Sequence, residues 1–250
     1  PVAIELKPEN KFRLTKDQLE NAITEKSKAL IISYPNNPTG AIMEEEDLRE
    51  LVEVIEKNNL LVISDEIYSE LTYGKKHVSI ASFSGMKERT IVINGFSKNF
   101  AMTGWRLGYA MGNAEIISQM VKVHQYAIMC APTISQYAAV EALQNGEEDI
   151  CNMRESYNQR RRYLYHELSR LELPCFLPEG AFYMFPDIRK FGMTSEEFAI
   201  DLLNKEKVAV VPGNAFGDCG EGFIRISYAY SISELKEAVR RIENYIMGKH

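Results

Sequence analysis

The chain has 250 residues, 45% of them hydrophobic and 26% charged, a balance that suits a folded protein with one large core or two smaller ones and excludes collagen-like and disordered classes. Its formal net charge is -6, and Lys and Arg are scattered among carboxylates, so no surface is marked for a nucleic-acid backbone and nucleic acid is not an expected partner. Apolar runs such as 29–32 and 60–63 are strand-sized, far below the roughly 20 residues of a bilayer span, so no membrane segment is expected.

Along the chain, Pro1 has no initiator Met or signal peptide before it, and residues 1–6 read at once as a strand, so the sequence is expected to begin mid-domain. Thr15 followed by Gln18 forms a capping box, with Leu14 and Leu19 placed for a hydrophobic staple, which predicts a helix from about Lys16. A β-rich run at 29–32 ends in the turn Tyr34-Pro-Asn-Asn-Pro38, and Leu48, Leu51, Val52 and Ile55 then repeat at helical spacing behind the acidic residues 44–47. The runs 60–64, 90–94 and 107–111 are continuous rather than alternating, as expected of strands buried on both faces. Strands alternating with helices predict an α/β class.

Residues 114–170 read as largely helical, interrupted at Ala131-Pro132 and Asn145-Gly146, with a long helix expected over 147–171. Beyond Pro174 the order is strand (181–185), helix, strand (208–211), strand (223–228), helix, with capping boxes at Thr194/Glu197 and Ser231/Glu234. This compact α+β unit places a domain boundary near residue 160: 1–160 as a large domain incomplete at its N-terminus, 161–250 as a small one. Cys130, Cys151, Cys175 and Cys219 lack CxxC spacing and read as reduced, mostly buried thiols of a cytoplasmic protein. His77, His124, His166 and His250 show no metal-ligand spacing, so no metal is expected.

Four segments carry polar residues at the ends of apolar strands, where open α/β sheets bind ligands. They are Ser33-Tyr-Pro-Asn-Asn-Pro-Thr-Gly40, Ser64-Asp-Glu-Ile-Tyr68, Asn94-Gly-Phe-Ser-Lys-Asn-Phe-Ala-Met-Thr-Gly-Trp-Arg-Leu-Gly108 and Phe223-Ile-Arg-Ile-Ser227. Taken singly, residues 36–40 fit a plain turn, Asp65 a helix cap, Lys98 a solvated lysine and Arg225 half of an ion pair.

In combination, over nearly the whole chain, they resemble the class I and II aminotransferases of fold type I. Residues 64–73, 101–106 and 178–183 are most similar to the bacterial aspartate, aromatic and N-acetyl-diaminopimelate subgroup. The resemblance implies pyridoxal 5'-phosphate as cofactor, an amino acid and a 2-oxo acid as substrates, and a homodimer. It implies that Lys98 holds the cofactor as a Schiff base and moves a proton, and that Asp65 pairs with the pyridine nitrogen. By the same carry-over Asn37 and Tyr68 donate to the phenolate oxygen, Arg106 and Ser97 hold the phosphate, and Arg225 grips the substrate α-carboxylate. Asn37, through the same segment, also borders the substrate. The commoner pattern has a serine where Gly95 stands, which removes one phosphate contact or transfers it to an amide. Trp105 reads as packing, and Tyr126 with the turn 131–133 as candidates for reaching a neighbouring subunit.

The same scaffold hosts β-lyases, and some transcription regulators carry an aminotransferase-like effector domain. Both remain alternatives to amino transfer at this stage. Because family members supply a helix N-terminus and an aromatic ring to the cofactor from segments before Val2, the 250 residues alone are expected to be inactive.

Overall fold

The computed structural model describes residues 1–248 and divides into two compact units. One comprises Pro1–Ile4, Arg13–Asn36 and Ile42–Arg154; the other comprises Glu5–Phe12, Asn37–Ala41 and the chain from Glu155 onward.

In the first unit, α1 (Lys16–Ala22) starts at the expected capping box: Gln18 N donates to Thr15 Oγ1 at 3.3 Å and Thr15 N donates to Gln18 Oε1 at 3.0 Å. Leu14 and Leu19 are both buried, as a staple requires. The helix α2 (Glu45–Lys57) has its own box, Glu44 with Asp47, and its stripe Leu48, Leu51, Val52 and Ile55 is buried. Arg13 bridges Glu44 and Asp47, so the carboxylates at this N-terminus meet both the helix dipole and a cation.

β1 (Ala29–Ser33), β2 (Leu61–Asp65), β3 (Thr90–Gly95) and β4 (Gly108–Met111) form one sheet in that order, parallel except for β4. In this part of the chain α3 (Phe96–Asn99) lies between β3 and β4, and α4 (Ala114–Ala127) and α5 (Thr133–Asn145) follow β4. α6 (Glu147–Arg170) then carries the chain into the second unit, and the helices are separated at 128–132, which includes Pro132, and at Gly146.

Three expectations are corrected. Residues 1–6 belong to no ladder, since a strand exists only where a neighbour takes up its backbone groups. The runs expected to be buried on both faces fare differently: Thr90, Ile91 and Val92 are buried in succession, so the start of β3 is covered on both faces, whereas in β2 Val62 and Ser64 are buried while Leu61 is 41% exposed, and Tyr109 and Met111 of β4 are 40% and 53% exposed. The cysteines are free but not mostly buried, because Cys130, Cys151 and Cys219 are exposed and only Cys175 is partly covered. Burial pushes the Cys175 thiol up to about 12, which leaves it inert.

The second unit holds a three-stranded antiparallel sheet, β5 (Tyr183–Met184), β7 (Ile224–Ser227) and β6 (Val211–Pro212), with β7 in the middle. These strands are shorter than the apolar runs that predict them. α7 (Ser195–Glu206) and α8 (Ile232–Met247) begin at the capping boxes of Thr194 and Ser231. The core includes an aromatic cluster in which Phe12 meets Phe176, Phe185 and Phe223 edge-on at 6.0 to 6.4 Å, and Phe185 stacks on Phe223 at 5.0 Å.

No helix among the described residues is long and apolar enough to cross a membrane. No cluster of three or more His, Cys, Asp or Glu among them could hold a metal, and His250 lies outside the described residues.

Gly40 closes the Asn-Pro-Thr-Gly turn at φ +73°, and its carbonyl accepts from the amides of Glu179 and Gly180 at 2.9 and 2.8 Å. A Cβ there would lie 2.5 Å from Pro178 Cβ and 2.9 Å from the Gly180 carbonyl oxygen. Gly40→Ala is therefore expected to lower stability by about 2 kcal/mol or more, the left-handed cost of roughly 1 to 2 kcal/mol plus backbone displacement, measured by denaturant unfolding.

Candidate active site

Asp65 is the last residue of β2, and the ladder sets it level with Ser33 of β1 and Ile93 of β3. Alternation along the strand puts Asp65 on the face shared with Leu61 and Ile63, and Ser64 and Glu66 on the covered face. Its Oδ1 accepts from Ile67 N at 3.1 Å, a local turn that orients the carboxylate. Tyr68 follows, buried in the turn after β2, with its carbonyl accepting from Leu71 N at 2.8 Å.

Glu66 is 4% exposed and fully engaged. Its Oε1 accepts from Ser64 and Ser79 hydroxyls at 2.9 and 2.7 Å, and its Oε2 lies 2.9 Å from His77 Nε2. Burial alone would raise its pKa, but the hydrogen bonds from His77 and Ser79, the His77 charge and the Ser64 hydroxyl together hold it below the usual carboxylate range. This buried anchor ties residues 77–79 to the end of β2, directly behind Asp65.

Lys98 and Ser97, both half-buried, stand in the single turn α3 that follows β3 without a break. Gly95 explains that geometry. It pairs with Gly108 across the antiparallel ladder, where a Cβ would lie 2.9 Å from Gly108 Cα and 3.0 Å from the Leu107 carbonyl oxygen. A serine does not fit here without moving β4. Nor is the Gly95 amide open to a phosphate, since it donates to Asn94 Oδ1 at 2.7 Å. Arg106 is exposed, at φ 53°, with Nη1 donating to the Thr103 carbonyl at 2.9 Å. Trp105 beside it is 41% exposed, so its ring is only partly used in packing.

A carboxylate, an amine, a phenol, a hydroxyl and a guanidinium thus gather on the segments that leave β2 and β3 and precede β4. The donor chemistry fits pyridoxal phosphate: an acid for the ring nitrogen, an amine for the aldehyde, and a cation with a hydroxyl for the phosphate.

In the second unit the structure brings Asn37 and Arg225 together, with Arg225 Nη1 donating to Asn37 Oδ1 at 2.9 Å. Ile224 and Ile226 of β7 are buried, and alternation turns Arg225 to the opposite face. Its guanidinium carbon lies 4.5 Å from the Tyr183 ring centre and 5.0 Å from that of Phe216. Among the described residues no carboxylate is within ion-pair distance of Arg225, and its Nε is buried without a partner. A cation clamped by two rings and one amide, with a donor to spare, is prepared for an anion.

The rings of Tyr183 and Phe216 and the polar groups of Glu66, Ser69, Asn94 and Asn99 were not among the candidates read from sequence. Tyr183 lies in the 178–183 segment that carries the resemblance, and the polar residues lie within four positions of Tyr68 or Lys98, which is the signal that points to them.

The model of the family described as aminotransferase class I and II matches residues 1–242. The chain belongs to this family. It is 47% identical to the aspartate aminotransferase of Pyrococcus abyssi and 44% identical to aromatic-amino-acid aminotransferase 2 of Thermococcus litoralis. Both matches cover 100% of this chain and 65% of the relative, so the chain spans just under two-thirds of their length. The crystal structure of the aromatic aminotransferase from Pyrococcus horikoshii superposes with TM-score 0.97 at 45% identity, covering 100% of this chain and 68% of that one. The chain therefore has the α/β fold of these aminotransferases.

The lowered pKa of Glu66 means that its carboxylate contributes stability above the normal value of 4.5, and that this contribution is lost as pH falls through the lower folded value. Glu66→Gln is expected to destabilise by about 1 to 3 kcal/mol at neutral pH. The gap to the unsubstituted protein should narrow steadily below pH 4.5 in thermal unfolding scans.

Proposed function

We propose that the complete protein transfers an amino group between an L-amino acid and a 2-oxo acid with pyridoxal 5'-phosphate as cofactor. What carries the reading is the ladder that sets Asp65 at the end of β2 next to the β3 end from which Lys98 departs. It is supported by an Arg225 that has two rings and an amide and, among the described residues, no carboxylate partner.

When bound, the cofactor supplies an electron sink for the pair released at the substrate α-carbon. Asp65 holds a proton on the ring nitrogen, which keeps that sink effective. Lys98 would hold the cofactor aldehyde through Nζ, and its amine would move the proton taken from the substrate α-carbon. Tyr68 donates its hydroxyl to the ring oxygen, and Asn37, whose oxygen serves Arg225, has its amide nitrogen for the same purpose. Arg106 and Ser97 bind the phosphate, Arg106 by turning its guanidinium from the Thr103 carbonyl. Arg225 pairs bidentately with the substrate α-carboxylate, with Asn37 at its side.

Two wider features complete the proposal. The apolar side chains exposed on α4 and α5, among them Val123, Tyr126 (97% exposed), Tyr137 and Leu143, support a homodimer. The four free cysteines support a reducing, cytoplasmic setting.

Borohydride reduction of the cofactor-loaded protein, followed by peptide mapping, is expected to place the pyridoxyl group on Lys98. A label on another lysine would refute the assignment. Arg225→Ala is expected to raise KM for every amino acid and oxo acid tested, since a broken charge pair costs on the order of 2 to 5 kcal/mol. An unchanged KM in steady-state assays would make Arg225 purely structural.

A further inference from the structure

Lys98 and Tyr68 stand on poorly self-supporting pieces of chain. α3 has four residues, and its closing bond, Phe100 N to the Phe96 carbonyl, is 3.3 Å long. A single helical turn has almost no stability of its own. Tyr68 lies in a turn between β2 and the next segment, with Ser69 N donating to the Glu66 carbonyl at 2.9 Å. One buried amide ties the two pieces to each other. Asn99, adjacent to Lys98, is 3% exposed. Its Nδ2 donates to Ser69 Oγ at 3.3 Å and to Asn94 Oδ1 at 3.2 Å, and its Oδ1 accepts from Glu70 N at 3.3 Å. Asn94, near the end of β3, closes the ring by donating to the same Ser69 Oγ at 3.0 Å while holding the Gly95 amide.

Every polar atom of the Asn99 side chain thus faces either the residues directly after Tyr68 or the strand end that leads into Lys98. Asn99 is buried and Ser69 and Asn94 are half-buried, and the three polar side chains bring a desolvation cost that a purely structural turn could avoid with apolar residues.

We propose that Asn99, with Ser69 and Asn94, is a positioning node that sets the distance between the Lys98 amine and the Tyr68 hydroxyl. The inference rests on the reading above that these two groups act on one cofactor. Asn99 touches neither cofactor nor substrate in this role. Its effect is to make the amine and the hydroxyl move as one body, so that the hydroxyl's influence on the group held by Lys98 is constant through the cycle.

The test uses the complete, cofactor-loaded protein and four variants: Asn99→Ala, Asn99→Asp, Ser69→Ala and, as reference, Tyr68→Phe. Asn99→Asp keeps the acceptor for Glu70 N but loses both donors and sets a charge against Asn94 Oδ1. Ser69→Ala removes the shared acceptor with minimal loss of packing. The readouts are the pH midpoint of the bound cofactor's visible absorbance, cofactor affinity in equilibrium dialysis, and the separate values of kcat and KM. Asn99→Ala, Asn99→Asp and Ser69→Ala are expected to move the absorbance midpoint in the direction of Tyr68→Phe. They should lower kcat about tenfold or more while leaving KM for the amino acid, set by Arg225, within about twofold. Asn99→Ala combined with Ser69→Ala should shift the midpoint no further than either alone, as expected of one unit. A midpoint and kcat that stay unchanged in Asn99→Ala and Ser69→Ala, with only thermal stability reduced, would overturn the proposal while Tyr68→Phe still shifts the midpoint. If Tyr68→Phe itself leaves the midpoint in place, the underlying reading of Tyr68 fails and the node falls with it.

Discussion

The parallel ladder between β2 and β3 is the constraint from which the candidate site follows. It sets Asp65 level with Ile93, and the chain then leaves both strands at the same edge of the sheet. Because side chains alternate, the same backbone that turns Asp65 to one face sends Ser64 and Glu66 to the other. The site is therefore built from both sides of the strand end: chemistry on one face, and a hydrogen-bonded carboxylate on the other that holds residues 77–79 in place. A slip of one residue would exchange these roles, giving a solvated Glu66 and a buried Asp65 without its donors.

The second unit uses the same alternation on a smaller sheet. β7 buries Ile224 and Ile226 and presents Arg225 between two aromatic rings and one amide. The rings attract the guanidinium without neutralising it, so its charge remains available, which a salt bridge to a resident carboxylate would not allow.

Much of this was legible in the sequence, for identifiable reasons. Capping boxes at Thr15, Thr194 and Ser231 are local chemistry, decided within four residues, and each starts a helix where expected. The breaks around α5 follow from Pro132 and Gly146, again locally. The family resemblance rested on Asn-Pro-Thr-Gly and on the lysine segment, and the match over residues 1–242 agrees with it. The expected strand at 1–6 and the expected double burial of β2 and β4 fail because an apolar run reports what a segment could pair with or be covered by, not whether a neighbour among the described residues does so. The Asn99 node and the Glu66 anchor were hidden for another reason. Their partners lie 30 and 13 residues away, so nothing in the local pattern separates them from ordinary polar loop residues.

The close pairing of Gly95 with Gly108 also bears on how this corner of the fold can change over evolutionary time. The carbonyl that crowds a Cβ at position 95 belongs to Leu107, and that same carbonyl receives the Phe96 amide at the start of the lysine turn. A side chain cannot enter at 95 without displacing the atom from which α3 departs. Positions 95, 107 and 108 therefore form a linked set in which a serine at 95 requires a compensating shift of the opposite strand. Lineages of this family should cross between the glycine and serine forms by paired replacement rather than by a single step.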